Sequence, residues 1–371
     1  MLSAAASARS SPITRDAYQT AVDARDQRFD GVFFVGITTT RIYCRPACKS
    51  RLAYDNHRRF FNSAAAAERA GFRPCLRCRP ELSPGRSDVG GGGGQLDAVA
   101  RLARLAAQRI AAGALNGHTV AELASQLGVS ERHLRRALER EISVSPLELA
   151  QTHRLLLAKR LIMDTDLPMT RVAYASGFQS LRRFNAVFRE QYRMPPSALR
   201  RGRARLPDGQ PLRITLAYRA PLAWDVLLRA LGGDGGSWRK SLEIEGHRGT
   251  VIVENQAADR HLIAEVSDSL LPVLMPVIAG LRRVFDLDAE PALIDAHLSK
   301  GGLSRLIARW PGVRVPGTLE GAVSPDEFDA SDRRLQRAAG VIGTKALRAM
   351  SERWRPWRAY AAELLKLNSL G

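Results

Sequence analysis

Ile42-Tyr-Cys44-Arg-Pro-Ala-Cys48-Lys49 and Gly71-Phe-Arg-Pro-Cys75-Leu-Arg-Cys78 contain all four cysteines of the chain, as a Cys-x3-Cys and a Cys-x2-Cys pair. Close cysteine pairs in a chain with no secretory signature point to a metal or to catalysis rather than to disulfides. A long loop between the pairs lets them meet as one tetrahedral thiolate cage, and four thiolates suit Zn²⁺. A closed all-cysteine shell is usually structural, so a small zinc ribbon that only supports a fold is the plain alternative. Arginine and lysine crowd the ligands, with Arg45, Lys49, Arg73 and Arg77 in these segments. A zinc tetrathiolate carries a formal charge of about minus two, so nearby cations keep its sulfurs deprotonated. The same cations suit a phosphate backbone.

These two segments closely resemble the N-terminal domain of the Ada family of bacterial alkylation-response regulators, which take methyl groups from DNA phosphotriesters. The resemblance implies that Cys44, first of the first pair, is the methyl acceptor. Cys48, Cys75 and Cys78 then fall on the other zinc ligands, and Arg45, Arg73 and Arg77 are expected against DNA. A methylated phosphate has lost its charge, so a dianionic cluster is repelled less by it than by an ordinary diester. Transfer would leave a thioether and lower the cluster charge by one, weakening its repulsion of DNA. Because a thioether is a poor leaving group, one turnover per molecule is expected. The family's other repair activity, on O6-methylguanine, needs a cysteine in a Pro-Cys-His-Arg setting. No cysteine follows Cys78, so that activity is expected to be absent.

Charge agrees with a nucleic-acid partner. The 371 residues carry a net charge of +19, a statement about partners rather than fold. Residues 1–94 hold 15 Lys+Arg against 8 Asp+Glu, and residues 95–205 hold 19 against 9. Residues 206–371 are nearly balanced, 22 against 20. No run reaches the ~20 apolar residues of a membrane span, and no apolar signal-peptide core is present. A cytoplasmic, nucleoid-associated bacterial protein with no membrane partner is expected. Residues 1–15, rich in Ala, Ser and Arg without an acid, read as a disordered leader or an early start codon rather than a transit peptide.

Pro84 to Gly94 ends in five glycines and reads as a flexible linker. From Gln95 the pattern becomes helical, with Leu96, Val99, Leu102, Leu105 and Ile110 at helical spacing. Thr119 to Ser130 reads as a capped helix, a turn at Gly128 and the serine cap of a second helix, which is a helix-turn-helix pattern. The helix after Ser130 exposes Arg132, His133, Arg135, Arg136 and Arg140 and buries Leu134 and Leu138. A second copy runs from Met169 through Gly177 to Ser180, followed by a helix with Arg182, Arg183 and Asn185 outside and Leu181, Phe184 and Phe188 inside. With a continuous helix at about 146–163 between them, and the Val144-Ser-Pro146 and Met194-Pro-Pro196 turns, the region resembles the AraC-type DNA-binding domain. That resemblance implies two recognition helices about 34 Å apart in successive major grooves. Arginines there would read guanine and Gln179 or Asn185 adenine, though most would contact only phosphate. RNA polymerase is a further partner expected of such a regulator.

The last third changes character. Residues 212–219 alternate as a strand, further β segments are expected near 250–254 and 261–266, and helices at about 270–285 and 291–300. With Tyr218-Arg-Ala-Pro221, Trp224 and Arg314-Val-Pro-Gly317, this order resembles the β-rich N-terminal lobe of AlkA-type alkylpurine DNA glycosylases. Fusion of an Ada-like front half to such an enzyme is a known arrangement. The resemblance resumes at Asp326 to Leu335 and Ser351 to Ala361, and places the family's catalytic carboxylate on Asp332. Its helix-hairpin-helix is missing: Asp332 follows Gly317 by 15 positions (332 − 317), and Gly340-Val-Ile-Gly343 has another spacing on the other side of Asp332. Most of a catalytic core therefore reads as deleted, and Lys366 stands where an aromatic lining residue is expected. Asp332 then reads as a helix N-cap, Trp354 and Trp357 as packing residues, and glycosylase activity is expected to be lost. The alternative is a working alkylbase glycosylase with a regulatory front half.

The fold class expected is multidomain α+β. Its parts are a zinc-bound acceptor domain at 12–83, a linker at 84–94, an all-α double helix-turn-helix domain at 95–205, a β-rich lobe at 206–318 and a short helical tail at 319–371.

Overall fold

A computed structural model of the protein describes residues 15–51, 53–85, 98–200, 211–321 and 323–368. The leader, most of the expected linker and the start of the helix expected from Gln95 lie outside the described residues.

Pairing of short strands brings the two cysteine segments together. Helix α1 (Arg15–Asp23) is followed by β1 (Phe34–Ile37), β2 (Ile42–Cys44), β3 (Arg58–Phe61), α2 (Ala64–Arg69) and β4 (Arg73–Pro74). The sheet order is β3-β1-β2-β4. β1 is antiparallel to β2 and β3, whereas β2 and β4 run parallel with Tyr43 opposite Pro74. Parallel pairing sends both chains out of the sheet on the same side, so Cys44 and Cys75 emerge as neighbours. Alternation divides the apolar residues. Val35 and Phe33 pack with the cysteines and α1, while Phe34, Tyr43, Phe61 and Phe72 pack with the α2 alanines on the opposite face. Gly36 is required here, because a Cβ would lie 2.7 Å from the Phe61 ring and 2.8 Å from that of Phe72.

The helical region contains α3 (Ala98–Ala111), α4 (Val120–Gln126), α5 (Glu131–Ile142), α6 (Pro146–Asp164), α7 (Met169–Ala175), α8 (Leu181–Tyr192) and α9 (Pro196–Leu199). Local chemistry sets the ends. Thr119 with Glu122 and Ser145 with Glu148 form capping boxes, and Ser130 and Ser180 cap the two recognition helices. Gly128 and Gly177 take φ of +68° and +87° in the two turns, conformations costly for residues with a Cβ. Leu134 and Leu138 of α5 and Phe184 and Phe188 of α8 are buried. Leu181, expected inside, is only half-buried.

An antiparallel sheet of order β5-β8-β7-β6 follows, from β5 (Leu212–Ala217), β6 (Ser237–Ile244), β7 (His247–Gln256) and β8 (His261–Val266), with α10 (Trp224–Ala230) between β5 and β6. Strand β6 was not expected from the sequence. Of its side chains only Trp238 and Leu242 are buried, and between them on the same face lies exposed Lys240, so its alternation is sparse. The helix expected at 270–285 is a 3-10 segment, Asp268–Val273, carrying Pro272, and then α11 (Leu274–Val284); proline removes a donor from the α ladder. The second helix-turn-helix unit and this lobe share one apolar core, running from Leu155 to Leu287. Helices α12 (Pro291–Leu298) and α13 (Ser304–Arg309), expected in the β-rich lobe, pack instead with α14 (Arg333–Ala338), α15 (Thr344–Ser351) and α16 (Arg358–Asn368) of the tail in a second core. Trp354, 1% exposed, sits in that core with its indole N–H on the Gly301 carbonyl at 3.1 Å, and Trp357 is buried edge-on to His297. No helix among the described residues is long and apolar enough to cross a membrane.

Candidate metal centre and its coupling to the recognition helices

The four cysteine sulfurs lie within 4.8 Å of one another, with each residue 7–8% exposed. The loop after β2 turns back through a Cys48 N–H to Arg45 carbonyl bond of 3.1 Å. Backbone N–H groups then face sulfur: Arg45 donates to Cys78 Sγ at 3.5 Å, and Arg77 and Cys78 to Cys75 Sγ at 3.4 Å. Such donors favour thiolate over thiol. Shared hydrogen bonding, first with Cys48, pushes the Cys44 thiol far up, and the bond from Cys44 holds Cys48 far down. Sulfurs this close therefore carry negative charge together only around a cation. Four soft donors within 4.8 Å of one another fit Zn²⁺.

Behind the first pair lies Asp30, which sequence reasoning missed. Its carboxylate accepts from the Ala47 N–H at 3.2 Å and pairs with Arg45 at 3.1 Å, so it fixes the loop between Cys44 and Cys48. Burial pushes its pKa up, against the pull of Arg45. Arg45, expected on DNA, thus has its guanidinium turned to Asp30. Arg73 is half-buried and Arg77 exposed.

On the helical region, Arg132 and Arg136 of α5 and Arg182 and Arg183 of α8 are exposed, as is Gln179 before the α8 cap. Asn185 is half-buried, and Arg135 is tied to Glu131 one turn back at 2.8 Å. These residues therefore lie in the N-terminal halves of both recognition helices or, for Gln179, just before the α8 cap.

The zinc-binding fold is locked onto these helices by polar contacts with no sequence signal. Lys159 of α6 is fully buried; its Nζ donates to the Cys75 carbonyl at 3.1 Å and to Glu81 at 2.5 Å. Glu81 also pairs with Arg79 at 3.0 Å, and Arg79 forks onto Asp164 with two bonds of 2.6 Å. Glu68 of α2 accepts from Tyr43 at 3.0 Å and from Thr152 of α6 at 2.7 Å. Both recognition helices are gripped near their C-termini: Asn62 donates to the Glu141 carbonyl, Arg69 to the Ser143 carbonyl, and Gln191 of α8 to the Phe72 carbonyl.

Burial pushes the Glu68 pKa up to about 7, although the Thr152 and Tyr43 hydrogen bonds pull it down. The folded chain then holds a proton that the unfolded chain releases from about pH 4.5 upward. This contribution to stability is complete below that value and is lost as pH rises from there to about 7, on the order of 3 kcal/mol. Glu68→Gln should flatten the dependence of the unfolding midpoint on pH between about 4.5 and 7 and should exceed wild type above that range. Thermal denaturation across that range checks it; a wild-type pH slope unchanged in the variant counts against the assignment.

Asp332 is the N-cap of α14, accepting from the Arg334 N–H at 2.7 Å and the Leu335 N–H at 3.4 Å. A cavity of about 50 Å³ beside Asp286 and Tyr360 is too small for a purine, and Asp332 is not on its wall. Lys366 pairs with Glu363 at 2.7 Å.

Three family models match the chain: the metal binding domain of Ada over residues 17–81, a helix-turn-helix domain over 123–202 and the AlkA N-terminal domain over 213–320. Mycobacterium tuberculosis proteins described as probable bifunctional transcriptional activator/DNA repair enzyme AlkA are 36% identical over 323 residues, 81% of this chain and 62% of theirs. The bifunctional transcriptional activator/DNA repair enzyme Ada of Escherichia coli is 34% identical over 134 residues, 36% of this chain and 34% of its own. The DNA-3-methyladenine glycosylase 2 of the same organism is 30% identical over 115 residues, 29% of this chain and 39% of its own. The chain thus spans 62% of the length of its mycobacterial relatives.

Proposed function

We propose that this chain, which joins an Ada-type zinc-binding domain to a helix-turn-helix domain and an AlkA-type N-terminal domain, is a DNA-alkylation sensor in which Cys44 accepts a methyl group from DNA phosphotriesters. The observation that carries this reading is the four-cysteine cluster locked through Lys159 to the helix between two DNA-reading units. Zn²⁺, held by Cys44, Cys48, Cys75 and Cys78, supplies the charge that keeps sulfur in the thiolate form. The Cys44 sulfur attacks the methyl carbon; an S–C bond forms as the C–O bond breaks, and the electron pair stays on the phosphate oxygen, restoring a charged diester. No proton moves. Asp30 holds the Cys44–Cys48 loop in place, while Arg73 and Arg77 draw the backbone towards the sulfur. Arg132, Arg135, Arg136, Arg182 and Arg183, with Gln179 and Asn185, then seat the protein on promoter DNA. The acceptor unit at 12–83 and the reader at 95–205 act in the cytoplasm on the nucleoid, with RNA polymerase as the downstream partner.

The test is the intact mass after incubation with DNA carrying methylphosphotriesters. A gain of one methyl group that Cys44→Ala abolishes is expected, and a protein of unchanged mass sinks the reading.

The AlkA-like portion supports a second reading, a glycosylase acting through Asp332. Its carboxylate is engaged in capping α14, which favours loss of that activity. Base release from methylated DNA should be at background for both the wild type and Asp332→Asn. Release by the wild type that the variant loses would restore the glycosylase.

A further inference from the structure

Between α14 and α15 the chain makes a rigid turn that the established domains do not use. Gly340 donates to the Arg337 carbonyl and Val341 to the Gln336 carbonyl, both at 3.0 Å, a Schellman closure. The Gln336 side chain receives the Gly343 N–H at 3.3 Å and fixes the far end. Leu335 and Leu347 anchor the two helices in the tail core, with Val341 packed against it. Between these fixed points Ile342 is 97% exposed. A branched apolar side chain held fully in solvent by a closed turn is not a loop left loose.

Along the chain, between Asp332 and Glu352, its flanks carry charge of one sign. From Arg333 to Ser351 there is no acidic residue, and Arg333, Arg334, Arg337, Lys345 and Arg348 are all exposed. Among the described residues none of the five side chains makes a hydrogen bond, ion pair or ring contact. Further along, by contrast, Arg355 and Arg358 are both bound to Asp326 and Glu352. Nothing lies within 4 Å of where a Cβ would stand on Gly340 or Gly343, so a partner reaches the turn unobstructed.

We propose that the α14–α15 hairpin is a second contact surface for duplex DNA, with the five basic side chains on phosphates and Ile342 entering the minor groove. Unpaired cations on both helices complement a polyanion, and an apolar side chain at the turn between them matches how minor-groove proteins meet base steps. The surface is separate from Cys44 and from both recognition helices, and it gives the tail a role that does not depend on base excision.

The experiment uses the full chain, zinc-loaded, with a random-sequence duplex. Replacing three of the five in Arg337→Gln/Lys345→Gln/Arg348→Gln should reduce the slope of log affinity against log salt by about 2–3, near 0.9 for each phosphate no longer neutralised. Ile342→Asp, at a position too exposed to upset folding, should weaken binding about tenfold through a charge placed against the groove. The proposal is overturned if either variant binds as the wild type does, which includes the outcome that the surface serves an acidic protein. Methyl transfer to Cys44, followed by mass in parallel samples with saturating DNA carrying methylphosphotriesters, should be unchanged, so failure of the hairpin is distinct from failure of the sensor.

Discussion

Methylation of Cys44 should tighten binding to promoter duplex by on the order of tenfold to a hundredfold at low salt, with the gain shrinking as salt rises. The expectation follows from charge. Around Zn²⁺ four thiolates leave the cluster at about minus two, and conversion of one to a thioether leaves about minus one. At roughly 8–10 Å from several phosphates, at intermediate dielectric, removing that unit of repulsion is worth about 1–3 kcal/mol in total. The lock between the cluster and α6 makes this a property of the whole reader. The Cys75 carbonyl is bonded to Lys159, and Asn62, Arg69 and Gln191 tie the zinc-binding fold to both recognition helices. Affinities of the methylated and unmethylated proteins, measured across a salt series, check it. Equal affinity at all salt concentrations would leave the methyl group as repair alone, with no signal.

The four-cysteine site is legible in the sequence because its information is local. Cys-x3-Cys and Cys-x2-Cys put the ligands within reach of each other whatever the intervening fold, and serine caps and turn glycines mark both helix-turn-helix units. The burial of Trp354 and Trp357 and the capping role of Asp332 also follow from nearest neighbours. What escapes is long-range. Asp30 meets the Cys44 loop only because β1 and β2 fold back together, and no short motif marks an isolated aspartate. Lys159 lies on α6, where an unbroken helix gives no sign that one lysine faces inward to Glu81. Strand β6 is hidden because two buried residues in eight, with exposed Lys240 between them, give a weak alternation. The spacing of Gly340 and Gly343 speaks only against a glycosylase hairpin; the meaning of the turn around Ile342 comes from exposure, which spacing does not carry.

Lys159→Met should destabilise the protein by about 3–5 kcal/mol and loosen the zinc site, because it removes one partner of a buried ion pair and leaves the other in place. Lys159 is 0% exposed and the Glu81 side chain 2%. Burial pulls the Lys159 pKa down while Glu81 pushes it back, so its charge depends on that carboxylate. Once the lysine is gone, Glu81 retains only Arg79, and the Cys75 carbonyl loses its donor beside a metal ligand. The methionine fills most of the volume, so the loss is one of charge and hydrogen bonding more than packing. Adding Glu81→Gln should recover a good part of the stability, since the uncompensated charge, more than the absent hydrogen bond, carries the larger cost. Urea denaturation of the two single variants and the double variant gives the coupling directly. Zinc transfer to a chelator should be faster in Lys159→Met than in wild type. If that single variant stays within about 1 kcal/mol of wild type and releases zinc at the same rate, the pair is not what holds the sensor to the reader.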